Sequence, residues 1–115
     1  MEFRQLTEKD QVREIEELSN IARGGVLIFK HSTRCAISTM ALNRFTRAWD
    51  VGDEHLPVYY LDLIRFRELS DLVAEKFEVT HQSPQVLLIR NGKCVYHASH
   101  NAISPSRVIE EAEYA

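Results

Sequence analysis

Residues 26–38 read VLIFKHSTRCAIS, an apolar run that leads through polar residues to a cysteine. The run Val26–Phe29 is aliphatic and aromatic without polar alternation, which is typical of a strand covered on both faces. From residue 37 to residue 48 the apolar side chains recur at helical spacing. Cys35 is therefore predicted to lie at the junction between a central strand and the helix that follows it.

Helical and extended patterns alternate on either side of this junction. Thr7–Asp10 fits a helix-capping pattern, and Gly24-Gly25 ends the helix that it begins. Asn91-Gly92 separates two apolar runs and predicts a β-hairpin, and Ser104-Pro105 predicts the N-cap and first residue of a last helix. The predicted helices cover residues 12–22, 37–48, 66–77 and 105–112, and the predicted strands cover 26–29, 58–63, 86–90 and 94–97, with a weak further strand at 3–6.

The order of these elements predicts the fold. Strands joined by a helix are parallel with a right-handed crossover, and the hairpin adds antiparallel strands. We therefore predict an α/β, thioredoxin-like fold with a mixed four-stranded sheet, or five strands if the N-terminal one forms, and helices on both faces. A chain of 115 residues is the usual size of one domain, so residues 1–115 are expected to form a single thioredoxin-like domain.

Composition excludes several classes of function. Hydrophobic residues make up 44% of the chain and charged residues 27%, which is ordinary for a folded domain. The net charge is −3 with both signs scattered, so no nucleic-acid-binding surface is indicated. No apolar run reaches the roughly 20 residues of a membrane span, and the first residues do not resemble a signal peptide. We expect a cytoplasmic protein with no membrane or nucleic-acid partner.

The two cysteines, Cys35 and Cys94, are far apart in sequence and have no metal-site spacing, so neither a disulfide framework nor a metal site is expected. A helix N-terminus stabilises a thiolate, which makes Cys35 a candidate nucleophile. Lys30, His31 and Arg34 are near it in sequence and are expected to add positive potential. An inert cysteine at a helix start is the alternative.

Ser38 stands where a resolving cysteine would attack a mixed disulfide. A hydroxyl does not attack disulfides, so the segment Cys35–Ser38 predicts a monothiol site in which Ser38 hydrogen-bonds the sulfur. Cys94 is predicted to be a packed strand residue at the far end of the sheet, too distant to resolve the intermediate.

Pro84 follows Ser83 just before a predicted core strand. We predict a cis Ser83-Pro84 bond that turns the Ser83 backbone toward Cys35, where an incoming cysteine-containing backbone could pair with it. His31 and His81 are expected either near the thiol or solvated at the surface.

The segment Phe29–Ser38 resembles the YtxJ-like monothiol bacilliredoxins, whose signature is Thr-Cys-Pro-Ile-Ser after a Phe-Lys-His-Ser strand end. His81–Gln85 and Asn91–Lys93 are also similar to that family, and the similarity extends over nearly the whole chain. Arg34 and Ala36 depart from the family pattern, replacing Thr and Pro. The resemblance implies a thioredoxin fold and removal of bacillithiol from S-bacillithiolated proteins, with Cys35 as nucleophile.

The residues predict a monothiol thiol-disulfide oxidoreductase, and the resemblance implies a part in bacterial redox homeostasis. Cys35 and Ser38 are the predicted catalytic residues, and Arg34, Ser83 and Pro84 are the predicted substrate-binding residues, with Arg34 either contacting an anionic thiol or playing no specific part. No bound cofactor or metal is expected; bacillithiol or another small thiol is the co-substrate, and S-thiolated cytosolic proteins are the partners. The alternatives are a glutaredoxin-like enzyme for another thiol and a non-catalytic peptide-binding adaptor.

Overall fold

The structure, a computed structural model, describes residues 3–113. These residues form five strands and four α-helices, and a short 3₁₀ helix precedes the last α-helix. The strands are β1 (Arg4–Gln5), β2 (Val26–His31), β3 (Val58–Asp62), β4 (Gln85–Arg90) and β5 (Lys93–Ser99), and the helices are α1 (Asp10–Ser19), α2 (Ala36–Ala48), α3 (Arg67–Phe77) and α4 (Pro105–Glu113), with the 3₁₀ helix at His100–Ala102.

The strands form one mixed sheet in the order β1-β3-β2-β4-β5. β1, β3 and β2 are parallel, whereas β4 is antiparallel to β2 and β5 is antiparallel to β4. The predicted α/β, thioredoxin-like architecture is confirmed, and the weak N-terminal strand is the fifth strand. In the described range, no helix combines the length and hydrophobicity needed to cross a bilayer.

The two faces of the sheet bury separate apolar clusters, which explains why the first four residues of β2, Val26–Phe29, are all apolar. Val26 and Ile28 belong to the cluster formed with α1 and α3, whereas Leu27 and Phe29 belong to the cluster formed with α2 and α4. All four side chains are fully buried. A strand between two helical layers needs apolar residues on both sides, and each buried large side chain contributes about 1.5–3 kcal/mol.

The hairpin between β4 and β5 turns at Asn91-Gly92, as predicted. Both residues have positive φ, 52° and 76°, a conformation that asparagine and glycine adopt most readily. The turn is fastened to the end of α1, because Asn91 N–H donates to the Ser19 carbonyl and Gly92 N–H donates to Ser19 Oγ. The hairpin therefore lies at the end of the sheet where β2 begins, away from the carboxyl end of β2.

The first helix differs from the prediction at both ends. It begins at Asp10 without a side-chain cap, and the free backbone N–H groups of Thr7 and Glu8 donate instead to Gln11 Oε1 at 2.7 and 2.9 Å. It ends at Ser19 rather than at Ala22, because hydrogen bonds of turn type, among them Gly25 N–H to Ala22 carbonyl, take over before β2.

Candidate active site

Cys35 is the N-cap of α2, with extended backbone angles of φ −114° and ψ 119°. Its carbonyl accepts the first helical hydrogen bond, from Thr39 N–H at 3.0 Å, and its own N–H donates to the Ser32 carbonyl at 3.2 Å. The N–H groups of residues 36–38 have no acceptor within the helix and lie at its positive end. The thiol is half-buried and not in a disulfide, so this position combines access with a field that favours an anion.

Ser38 is fully buried in the first turn of α2, and its hydroxyl is occupied by other groups. Ser38 Oγ lies 2.8 Å from His31 Nδ1 and accepts a hydrogen bond from Ser32 N–H at 3.0 Å. Among the described residues it makes no hydrogen bond with the Cys35 sulfur. The predicted serine–sulfur hydrogen bond is therefore absent from this structure, because the end of β2 supplies both partners of the hydroxyl.

His31 is buried against α2 and beside Tyr60, with the ring centroids 5.7 Å apart. Burial lowers the pKa of His31 below its ordinary value, although the nearby Asp62 carboxylate acts in the opposite direction. With Nδ1 unprotonated, a neutral imidazole can accept a hydrogen bond from the Ser38 hydroxyl, whose oxygen in turn accepts a hydrogen bond from Ser32 N–H. His31 is thus a buried partner of Ser38 and not a solvated surface residue.

Lys30 points to the other face of the sheet, although it is only five positions before Cys35. Its Nζ is fully buried beneath α3, where it donates to the Ser70 carbonyl at 3.1 Å and lies 3.4 Å from His81 Nδ1. Burial lowers the pKa of Lys30 to about 8, against the opposing charge of Asp71. The expectation that Lys30 adds positive potential at the thiol is wrong, because successive strand residues face opposite sides.

His81 joins the same buried group from the segment before Pro84. Its Nδ1 is 3.3 Å from Ser70 Oγ, and burial together with the Lys30 charge lowers the pKa of His81. This contact attaches the segment of residues 79–84 to β2 and α3. His81 is therefore neither a contact of the thiol nor a freely solvated residue.

The Ser83-Pro84 peptide bond is cis, as predicted. It precedes Gln85, which pairs with Lys30 in the antiparallel register of β4 and β2. The bond therefore lies at the carboxyl end of β2, the same edge of the sheet from which the chain continues to Cys35. Pro84 is buried, and Ser83 Oγ is buried without a hydrogen-bond partner in the described part of the chain.

Gln85 holds this segment in place, a part that the sequence did not indicate. Its side chain is buried, with Nε2 donating to the Thr80 carbonyl at 3.0 Å and Oε1 accepting from Gln82 N–H. Pro84 is fastened on its other side, where its carbonyl accepts a hydrogen bond from His100 N–H at 3.1 Å. The sequence signal that could have identified Gln85 is a polar amide residue directly after a proline and directly before an apolar run.

Cys94 lies at the opposite end of the sheet from Cys35, level with the first residue of β2. It pairs with Ile89, and Ile89 in turn pairs with Val26 at the start of β2, roughly 16 Å along the strand from His31. Its Sγ donates to the Tyr96 carbonyl at 3.3 Å, and burial raises the pKa of Cys94 to about 11. Cys94 is thus a strand residue packed against the core, as predicted.

Arg34 precedes Cys35 and is exposed, with no ion pair to a described residue. The structure thus brings Cys35, Ser38, Ser83-Pro84 and Arg34 to one edge of the sheet. Of the predicted cationic neighbours of the thiol, Lys30 faces the opposite side of the sheet, and His31 is buried against Ser38 with a lowered pKa.

Comparisons with known proteins identify the family and the fold of the chain. The family model of the monothiol bacilliredoxin BrxC matches residues 4–108. A solved structure described as a candidate oxidoreductase with a thioredoxin fold is 33% identical, with a TM-score of 0.75, and the alignment covers 96% of this chain and 92% of that one.

Two thioredoxins share the fold at low identity. The thioredoxin of Malassezia sympodialis is 16% identical with a TM-score of 0.70, covering 96% of this chain and 91% of that chain. The thioredoxin of Plasmodium falciparum is 14% identical with a TM-score of 0.67, covering 96% and 97%. The chain therefore belongs to the monothiol bacilliredoxin BrxC family and is a thiol oxidoreductase of the thioredoxin fold.

Proposed function

We propose that this protein is a cytoplasmic monothiol bacilliredoxin that removes bacillithiol from S-bacillithiolated proteins. The observation that carries the proposal is a half-buried cysteine at the N-cap of α2, at the sheet edge that also bears the Ser83-Pro84 bond, in a chain whose family is described as monothiol bacilliredoxin. Bacillithiol is the co-substrate, and S-thiolated proteins are the partners.

In the first step, the Cys35 thiolate attacks the bacillithiol sulfur of the mixed disulfide. A bond forms between Cys35 Sγ and that sulfur, the bond to the protein sulfur breaks, and the protein thiolate leaves and takes up a proton from water. In the second step, the thiolate of another bacillithiol attacks the sulfur now bound to Cys35. Bacillithiol disulfide is released and the Cys35 thiolate is restored. Over the two steps one bacillithiol is consumed and one protein thiol is formed, with no net change in the number of electrons.

The residues around Cys35 support these steps in different ways. The N–H groups at the start of α2 stabilise the thiolate, and Ser38 cannot open the intermediate because a hydroxyl does not attack disulfides. The backbone of Ser83-Pro84 offers an edge for the substrate chain, and Arg34 is exposed beside the thiol for contact with an anionic small thiol. Cys94 is too far away and too strongly protonated to resolve the intermediate.

Intact mass spectrometry after mixing with oxidised bacillithiol tests the proposal. We expect wild type to gain the mass of one bacillithiol at Cys35, Cys35→Ala to gain nothing, and Ser38→Cys to lose two hydrogens as an internal disulfide forms and bacillithiol is released. The Ser38→Cys outcome follows because residues 35 and 38 are neighbours one helical turn apart.

A parallel reaction with oxidised glutathione distinguishes the glutaredoxin-like alternative. Faster adduct formation with glutathione than with bacillithiol would favour that alternative. If wild type forms no adduct with either thiol while Cys35 still reacts with an alkylating agent, the proposal is wrong. Equal binding of partner proteins by Cys35→Ala and wild type would then support the adaptor.

A further inference from the structure

The exposed side of α2 carries apolar side chains that the fold does not use. Ile37 and Met40 are 58% and 66% exposed, and in the described part of the chain only Ile21 and Val95 are comparable large hydrophobics. Ile37 and Met40 both lie within five positions of Cys35. Exposed apolar side chains next to a reactive group commonly mark a surface that a partner covers.

This apolar pair continues into a basic pair on the same side of the helix. Ile37, Met40, Arg44 and Arg47 are spaced by three, four and three residues, so they form one stripe, while Ala41 and Phe45 face the sheet. We call these four residues the α2 stripe. An open groove of about 510 Å³ lies along its basic half, lined by Met40, Asn43, Arg44, Thr46 and Arg47.

The α2 stripe is also a local excess of positive charge. Residues 34–48 contain three arginines and no acidic residue; of 14 basic and 17 acidic residues in the chain, the rest therefore holds 11 and 17, a net charge of −6. Within residues 3–113, Arg44 and Arg47 form no ion pair, whereas Arg4 and Arg107 pair with Asp53 and Glu111. The stripe is thus complementary to an acidic surface.

The length of the stripe indicates what kind of partner fits it. Ile37 and Arg47 are ten helical positions apart, roughly 15 Å along the axis, so a small thiol at Cys35 does not reach the basic half. We propose that the α2 stripe docks an acidic stretch of the S-thiolated protein substrate beside its modified cysteine. This inference rests on the proposed function and adds a substrate class to it.

The test uses two synthetic peptides that carry the same S-bacillithiolated cysteine, one flanked by glutamates and the other by lysines. We expect wild type to release bacillithiol from the acidic peptide at least tenfold faster at low salt, with the preference shrinking as salt screens the charges, an effect of the order known for electrostatic steering. In Arg44→Glu/Arg47→Glu, the preference should disappear or reverse.

A matched double variant separates the stripe from the overall charge. Arg13→Glu/Arg23→Glu makes the same charge change at two exposed arginines outside α2, and we expect it to keep the acidic preference. Equal loss of preference in both double variants, or no preference in wild type, overturns the docking proposal. If wild type reacts with neither peptide nor with oxidised bacillithiol, the proposed function fails as well.

Sedimentation velocity tests whether the α2 stripe instead binds a second copy of this chain. We expect wild type and both double variants to sediment as the same species. Self-association that is lost only in Arg44→Glu/Arg47→Glu would assign the stripe to a dimer and overturn the proposal.

Discussion

Ser38 acts on the interior of the molecule through its hydroxyl. The group satisfies both His31 Nδ1 and Ser32 N–H, two buried polar groups at the end of β2. The residue that replaces a resolving cysteine therefore also completes a hydrogen-bond network between β2 and α2. The contacts of Ser38 with His31 and Ser32 depend on the strand register and on the position of α2 together. The sequence alone does not give these two, so it suggested a contact with the sulfur instead.

We expect Ser38→Ala to lower the free energy of unfolding by about 1–3 kcal/mol, because it leaves a buried imidazole nitrogen and a buried N–H without a partner. Urea unfolding followed by circular dichroism measures the change. Thr39→Ala is the matched control, since it removes an exposed hydroxyl from the next position of the same helix. Similar losses in both variants would contradict the assigned hydrogen bonds.

Lys30 gives a second prediction at this scale, with a defined pH window. Burial lowers its pKa from the ordinary 10.5 in the unfolded chain to about 8 in the fold. Between these values the unfolded chain binds a proton that the folded chain does not. The contribution of Lys30 to the free energy of unfolding therefore increases as pH rises from about 8 to 10.5. Below that window the charged amine is buried at a constant cost.

The stability of wild type relative to Lys30→Met should therefore increase between pH 8 and 10, as measured by urea unfolding. Taking the difference cancels the other groups that titrate in this range. The exposed Lys93→Met variant is the control for loss of a lysine. A difference that is flat with pH for Lys30→Met would contradict the burial of its amine.

At the scale of elements, local patterns carried most of the prediction. The strand at the apolar run Val26–Phe29, the Asn91-Gly92 turn and Pro105 at the start of α4 each follow from the preferences of a few residues, and all three are present. The end of α1 was placed too late, because Ala22 continues the apolar periodicity although the chain has already entered turns. Which face a strand-end side chain takes depends on register, so Lys30 was misassigned.

The position of β5 leads to a prediction about Cys94. Because β5 places this thiol at the hairpin edge of the sheet and Ser retains the donor to the Tyr96 carbonyl, Cys94→Ser should exchange bacillithiol at the wild-type rate. The rate of bacillithiol release from a modified protein measures this, with circular dichroism to verify folding. Cys35→Ser should be inactive in the same assay. Loss of activity in folded Cys94→Ser would mean that a second thiol takes part.

At the scale of the whole molecule, the buried His31 and the half-buried His81 make the stability of both helical layers depend on pH. His31 contacts α2 on one face of the sheet, and His81 contacts α3 and Lys30 on the other. Burial lowers both pKa values from the ordinary 6.5, so the unfolded chain binds protons first as pH falls through that value. The free energy of unfolding must therefore decrease from about pH 6.5 downward.

We expect His31→Gln/His81→Gln to show a weaker loss of stability between pH 7 and pH 5 than wild type does, measured by urea unfolding at several pH values. His97→Gln/His100→Gln, which removes two exposed histidines, should keep the wild-type slope. If the two double variants have the same slope, acid sensitivity has another origin, such as the carboxylates.

The divergence of Lys30 and His31 at the end of β2 also limits how the gene can change length. Side chains alternate between faces, so inserting or deleting one residue within β2 would exchange the amine and the imidazole between the two layers. The amine would then meet Ser38, and the imidazole would meet Ser70. Only changes of an even number of residues preserve this parity inside the strand.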